Sequence, residues 1–318
     1  MKNILITGGS GYIGTKLAER LGHEPWAGRI TGIDIAPPAQ TPRKLEFIRR
    51  DVRDPLDDVF KGRSFDCVVH AAYILAPIHD RRLMEDINVN GTINVCTSAV
   101  AHGVKQVLEC SSATAYGFHP DNPHRLTEES PLRGNEDFTY AKNKREIEGW
   151  LGELRRDHPG ITLTVIRPCF VVGPGFANPL ARHLCKKLCL LPTETAEFQF
   201  IHEDDLVEIM TLLIRDGKGG IYNLGSDGTM TFDEMLAMLG NIPLRIPMWL
   251  LWPLNEIAWR LRLRFLTEFP SSSLNLIRYR WIVDNEKVKG ELGYRFRYTT
   301  RDAFEDFVRH VRTQGGKG

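Results

Sequence analysis

The chain has 318 residues, 42% hydrophobic and 25% charged, a composition that excludes global disorder, a collagen helix and a coiled-coil rod. Its 41 basic and 40 acidic residues leave a formal net charge of +1, so no general field exists for gripping nucleic acid. The opening MKNILITGG has too short an apolar run for a signal peptide, and no apolar stretch approaches the roughly 18–20 residues of a spanning helix, so a cytoplasmic protein is expected.

Residues 2–7, KNILIT, read as a short buried strand, and the glycines from Gly8 to Gly14 turn it into a helix running to about Leu21. Further strands are predicted at 29–34, 45–48 and 67–70. A helix from Met84 to about His102 precedes a strand over 106–110, and a strongly helical run from Tyr140 to about Arg156 precedes a strand over 161–166. Short strands alternating with longer helices imply parallel βαβ units: an α/β fold with a Rossmann-type doubly wound sheet. The expected organisation is a core over 1–172 and a smaller C-terminal substrate-binding lobe over 173–318, with segments around 200–225 returning to the core. Helices are expected at 203–214 and 231–239, with a strand at 221–224.

From Asn241 onward the chain carries six more basic than acidic residues, whereas the first 240 carry a net −5. The stretch from Ile242 to Leu254 is unusually apolar, and Trp259, Leu261, Leu263 and Phe265 extend it among Arg260, Arg262 and Arg264. It reads as core packing with solvated arginines, as a pocket wall or lid for an apolar substrate, or as a membrane-surface or oligomer face. Arginines at period two suit an ideal amphipathic helix poorly. Six cysteines form no CxxC pair; Cys185 and Cys189 could share a helix face near His183, but without a fourth ligand free thiols and no metal are expected.

The strongest local signal is Thr7-Gly8-Gly9-Ser10-Gly11-Tyr12-Ile13-Gly14. Gly8, Gly11 and Gly14 permit a tight turn and close approach of a pyrophosphate, and Tyr12 and Ile13 open a helix whose first N–H groups face it. Asp34 ends the second strand 20 residues after Gly14, where a carboxylate accepts bonds from ribose hydroxyls and repels a 2′-phosphate, which favours NAD over NADP. Asp51 and Val52 follow the third strand and Ala71, Ala72 and Tyr73 the fourth; Asp51 could receive the adenine amino group, and small residues at the strand edge admit the cofactor.

With SSATAYG at 111–117, YAKNK at 140–144, NVNGT at 88–92, RPCFVVGPG at 167–175 and FIHEDDL at 200–206, the chain resembles the extended short-chain dehydrogenase/reductase family, in its NAD-dependent epimerase/dehydratase branch. The resemblance spans essentially the whole chain and is strongest over residues 3–175. It implies catalysis by Ser112, Tyr140 and Lys144: Ser112 positions the substrate oxygen, Tyr140 is the acid/base, and Lys144 lowers the tyrosine pKa and bonds the nicotinamide ribose. Tyr140 and Lys144 lie four apart, on one face of a helix. Asn88 would help position the cofactor pocket, and Pro168 would line its nicotinamide side. Tyr116 and His202 read either as substrate contacts beside Ser112 and Tyr140 or as packed residues. A homodimer is implied by the resemblance.

Dehydratases of this branch carry an Asp-Glu pair after the catalytic hydroxyl residue; Ala113 and Thr114 stand there, so dehydration is not expected. The residues at 197–205, EFQFIHEDD, lack the basic residue that many sugar-nucleotide enzymes carry there, and the apolar C-terminal stretch suits a lipid-like, steroid-like or aromatic alcohol. The sequence therefore favours an NAD-dependent oxidoreductase interconverting a secondary alcohol and a ketone. A sugar or nucleotide-sugar epimerase and an NAD-binding regulatory or interaction protein are the alternatives.

Overall fold

The computed structural model describes residues 1–315. The first half comprises β1 (Lys2–Thr7), α1 (Tyr12–Gly22), β2 (Ala27–Asp34), β3 (Leu45–Arg49), α2 (Asp57–Phe60), β4 (Cys67–His70), α3 (Arg81–Glu85), α4 (Gly91–Ala101), β5 (Gln106–Cys110), α5 (Thr139–Asp157) and β6 (Thr162–Pro168). A wide helical turn at Asp86–Asn90 joins α3 to α4. The second half adds β7 (Phe170–Val172), α6 (Pro179–Leu184), β8 (Leu188–Pro192), β9 (Phe200–His202), α7 (Glu203–Asp216), β10 (Gly220–Leu224), α8 (Phe232–Leu239), β11 (Ile242–Ile246), α9 (Met248–Arg260), α10 (Asn275–Arg278), α11 (Glu286–Leu292) and α12 (Thr300–Gly315).

Seven strands form one parallel sheet in the order β10-β6-β5-β4-β1-β2-β3. Alternate side chains enter opposite layers, as the period of a strand requires. Ile4, Ile6, Val69 and Leu108 pack with Leu17, Leu21 and Met210 on one face. Leu5, Val68 and Val107 pack with Val95, Ile147 and Leu151 on the other. Both faces are covered, which is why these strands read as continuous apolar runs. The chain reverses direction across the sheet between β1 and β4, and ligands of such sheets bind beyond the strand C-termini at that crevice.

A third cluster, built on Phe198, Phe200, Phe232, Phe304 and Phe307, packs the C-terminal segments together. There α8 begins in a reciprocal cap: the Thr231 hydroxyl accepts from the Glu234 N–H, and the Glu234 carboxylate accepts from the Thr231 N–H. Two expectations change in this half. Helix α6 ends at Leu184, so Cys185 sits at its C-terminus and Cys189 in β8 rather than together on one helix face. The apolar stretch from Ile242 forms β11 and then α9, and much of it, including Trp249 and Ile257, is exposed rather than packed as core.

A buried ion pair fastens α5 to the sheet at β6. The Arg167 guanidinium on β6 donates to the Glu148 carboxylate of α5 at 2.6 and 3.0 Å, and both side chains are 3% exposed. Arg167 also donates to the Tyr116 hydroxyl, and Ser111 to Glu148. Removing one partner of such a pair strands a charge. Glu148→Ala should therefore lower stability in urea unfolding by about 3–5 kcal/mol. Arg125→Ala, which breaks a half-exposed contact with Asp284, should change it by less than about 1 kcal/mol.

Candidate active site

The turn after β1 owes its shape to missing side chains. Gly8 has φ +68°, and a Cβ there would lie 2.6 Å from the Ala71 carbonyl oxygen; one on Gly14 would lie 2.1 Å from the Gly8 carbonyl oxygen. The turn is thus pressed against the loop after β4 and folded onto itself. Gly11 caps α1 without a side chain, so Tyr12 and Ile13 open the helix with its first-turn amides unclaimed by any capping group. At the neighbouring strand end, the Asp34 carboxylate accepts from the N–H of Ser10 at 3.2 Å and of Ile35 at 2.7 Å. These bonds hold Asp34 beside the glycine turn, and Ser10 Oγ is buried there without a partner among the described residues. A side-chain-free glycine cradle, an uncapped helix start, an orphaned hydroxyl and a fixed carboxylate fit a dinucleotide.

The other predicted cofactor contacts occupy strand ends along the same edge. Asp51 is gripped by Arg53 at 2.7 Å, and this pairing holds its carboxyl below the usual range. Val52 packs under α4, where a Cβ on Gly91 would lie 2.7 Å from its Cγ2. Asn88 accepts from the Ile74 N–H at 2.8 Å and donates to the Ile74 carbonyl at 3.1 Å, which fixes the loop carrying Ala71, Ala72 and Tyr73. His70 bridges Thr7 on β1 and Thr92 on α4, and burial pushes its pKa down to about 3, so it stays neutral. Pro168 ends β6 opposite Leu224 and is partly exposed.

Ser112, Tyr140 and Lys144 converge. Ser112 follows β5 and caps the short turn Ala113–Tyr116, its hydroxyl accepting from the Thr114 N–H at 3.2 Å. Tyr140 stands in the first turn of α5; burial raises its phenol pKa, and the nearby Ser112 hydroxyl offsets part of that rise. Lys144 is 1% exposed, one turn further along. Its ammonium lies 5.8 Å from the Tyr140 ring centre, yet its nearest neighbours are others. It donates to the Cys110 carbonyl at 2.6 Å, sits 2.9 Å from the Tyr73 ring centre and lies 3.6 Å from Glu109. Burial lowers the Lys144 pKa to about 8, with Glu109 opposing the fall.

Glu109 was not singled out from the sequence. It is fully buried, its pKa raised by burial and drawn back by Lys144, and it accepts from the Tyr73 hydroxyl. The signal was available: one acid within the apolar strand QVLEC, three residues before Ser112. Glu203 was likewise missed as a site residue. Its carboxylate accepts from the Tyr12 hydroxyl and the Gly175 N–H and pairs with Lys16 at 2.5 Å, tying α1 to the loop after β7.

Tyr116 and His202 both have their polar atoms engaged within the protein. Tyr116 is fully buried, with its hydroxyl donating to Asn223 at 2.7 Å and accepting from Arg167 at 2.6 Å. His202 caps α7 by accepting from the Asp204 N–H, faces Asp306 at 3.2 Å and stacks on Tyr298. Neither leaves a polar atom for a ligand.

An uncharacterized protein of Mycobacterium tuberculosis is 30% identical to this chain, covering 97% of it and 84% of the relative. UDP-glucose 4-epimerase 2 of Oryza sativa subsp. japonica is 32% identical over 58% of this chain and 46% of its own length. Among solved structures, UDP-glucose 4-epimerase of Thermotoga maritima superposes with a TM-score of 0.79, covering 98% of this chain and 99% of that one; at 18% identity this likeness speaks to the fold. Residues 4–225 match the NAD dependent epimerase/dehydratase family. With the glycine cradle, Asp34 and the Ser112, Tyr140 and Lys144 cluster in place, the chain belongs to that family and is an NAD-dependent enzyme.

Proposed function

We propose that the enzyme interconverts a secondary alcohol and a ketone. The observation that carries this reading is the convergence of Ser112, Tyr140 and Lys144 beside a fixed dinucleotide cradle. NAD supplies the hydride acceptor when bound. The Ser112 hydroxyl holds the substrate oxygen, and Tyr140 Oη takes the hydroxyl proton as the carbonyl forms, or returns it in reduction. Lys144 supplies the positive charge that favours phenolate, and it would hold the nicotinamide ribose when NAD is bound. Asp34 selects NAD by accepting from the ribose hydroxyls.

Ala113 is fully buried and Thr114 is 6% exposed, so neither an acid nor a base follows Ser112 to remove water. A second reading is epimerisation of a nucleotide sugar, favoured by the likeness to the Oryza sativa UDP-glucose 4-epimerase. The two differ in the fate of the cofactor. A dehydrogenase accumulates NADH with turnover, whereas an epimerase returns the hydride and keeps its NAD.

Tyr140→Phe should lower NADH formation, followed by absorbance over a panel of secondary alcohols, by roughly 10²–10⁴-fold while leaving NAD binding within about twofold. Full activity in that variant would remove Tyr140 from the chemistry. Asp34→Ala should weaken NAD binding by roughly tenfold and narrow the preference over NADP, as measured by titration of both cofactors.

The pH profile tests the buried carboxylate. The charge of Glu109 opposes ionisation of Tyr140 and holds the proton on Lys144. In Glu109→Gln the phenolate therefore forms at lower pH, and Lys144 also loses its proton at lower pH. Both limbs of the kcat/KM profile for alcohol oxidation should move toward acid. Unmoved limbs would mean that Glu109 does not act on either group.

A further inference from the structure

Helix α9 is turned the wrong way for a water-soluble protein. Trp249, Leu250, Leu254, Ile257 and Leu261 recur at helical spacing and are 77%, 38%, 51%, 56% and 65% exposed, and Phe265 beyond them is 74% exposed. The polar side chains of the same helix bond toward the protein. Asn255 donates to the Phe269 carbonyl at 3.0 Å, and Glu256 accepts from the Ser271 N–H at 3.3 Å. A helix on the surface of a soluble domain normally buries the first set and exposes the second. The helix is anchored through Leu251 and Ala258, and Trp259 stacks on His79 with ring centres 4.0 Å apart. That contact places it beside the loop that follows β4.

The charges on this surface have one sign to spare. Arg260 pairs with Glu256, and Glu268 is taken by Arg182. Arg262 and Arg264 are exposed and have no carboxylate within ion-pair distance among the described residues. Arg262 adopts φ +57° at the turn that ends the helix, so the chain reverses there and sets both arginines next to the apolar face. An apolar face edged by uncompensated arginines, with a tryptophan on it, complements a surface that is hydrocarbon below and anionic phosphate above. A second copy of the chain fits less well, because a two-fold contact brings the same arginines toward each other with no acid free to receive them.

We propose that α9 and residues 261–266 dock on an anionic lipid bilayer, with the helix lying in the plane of the interface. Thirteen residues give a helix about 20 Å long, too short to cross, and no helix of the described residues is long and apolar enough to span a membrane. The docked face adjoins the loop carrying Ala71–Tyr73, so the cleft opens near the lipid surface. The docking itself does not depend on which alcohol the enzyme uses.

The test is flotation of the full chain with vesicles of phosphatidylcholine alone or with about 30% phosphatidylglycerol. The protein should float with the anionic vesicles, and binding should fall steeply at about 0.5 M salt. Arg262→Ala/Arg264→Ala should weaken binding by roughly 25-fold, since each arginine near such a surface contributes roughly fivefold. Trp249→Ser/Leu254→Ser should abolish it, and both variants should melt with the parent because the altered side chains are exposed. Failure to bind anionic vesicles at low salt overturns the proposal. So does binding that neither pair of substitutions changes, or a dimer in solution that Trp249→Ser/Leu254→Ser converts to monomer.

Discussion

The Lys144 ammonium lies 1% exposed between a sheet and a helix, where an unpaired charge would cost several kcal/mol. What surrounds it is arranged to make that position tolerable: the Cys110 carbonyl, the Glu109 carboxylate and the face of Tyr73. They come from separate elements of the fold. Cys110 and Glu109 end β5, Tyr73 follows β4, and Lys144 itself is carried by α5. The charge can be held only if β4, β5 and α5 keep their relative positions, and Arg167 with Glu148 fastens α5 to the adjoining strand. The same packing that satisfies the lysine therefore sets Tyr140 and Ser112 on neighbouring elements, α5 and the turn after β5.

Much of this was legible in the chain. The strands at 67–70 and 106–110 coincide with β4 and β5, because a sheet covered on both faces leaves continuous apolar runs. The glycine turn was legible because steric demand there is absolute: no Cβ fits at Gly8 or Gly14. Spacing alone set Tyr140 and Lys144 on one helical face. Which way the lysine points was not legible, since that depends on Glu109 and Tyr73, distant in sequence and brought together by the pairing of β4 with β5. The roles of Tyr116 and His202 were open for the same reason, their partners Asn223 and Asp306 lying more than 100 residues away.

Helix α9 shows a different limit. Apolar residues in sequence suggest burial, yet the turn at Arg262 and the inward bonds of Asn255 and Glu256 leave this face outside. Hydrophobicity is a statement about water, and sequence alone does not name what replaces the water. Lys144 and the exposed helix both contact the loop after β4, through Tyr73 and His79, so the buried cluster and the outer surface share one structural element.

The central claim is that the buried lysine serves the cofactor as well as the fold, and calorimetric titration of NAD into the parent and Lys144→Met tests it without knowledge of the substrate. The account predicts a roughly tenfold or greater loss of NAD affinity in a variant whose fold, by circular dichroism, is retained. Equal NAD affinity in the two proteins would contradict it and reduce Lys144 to a structural residue.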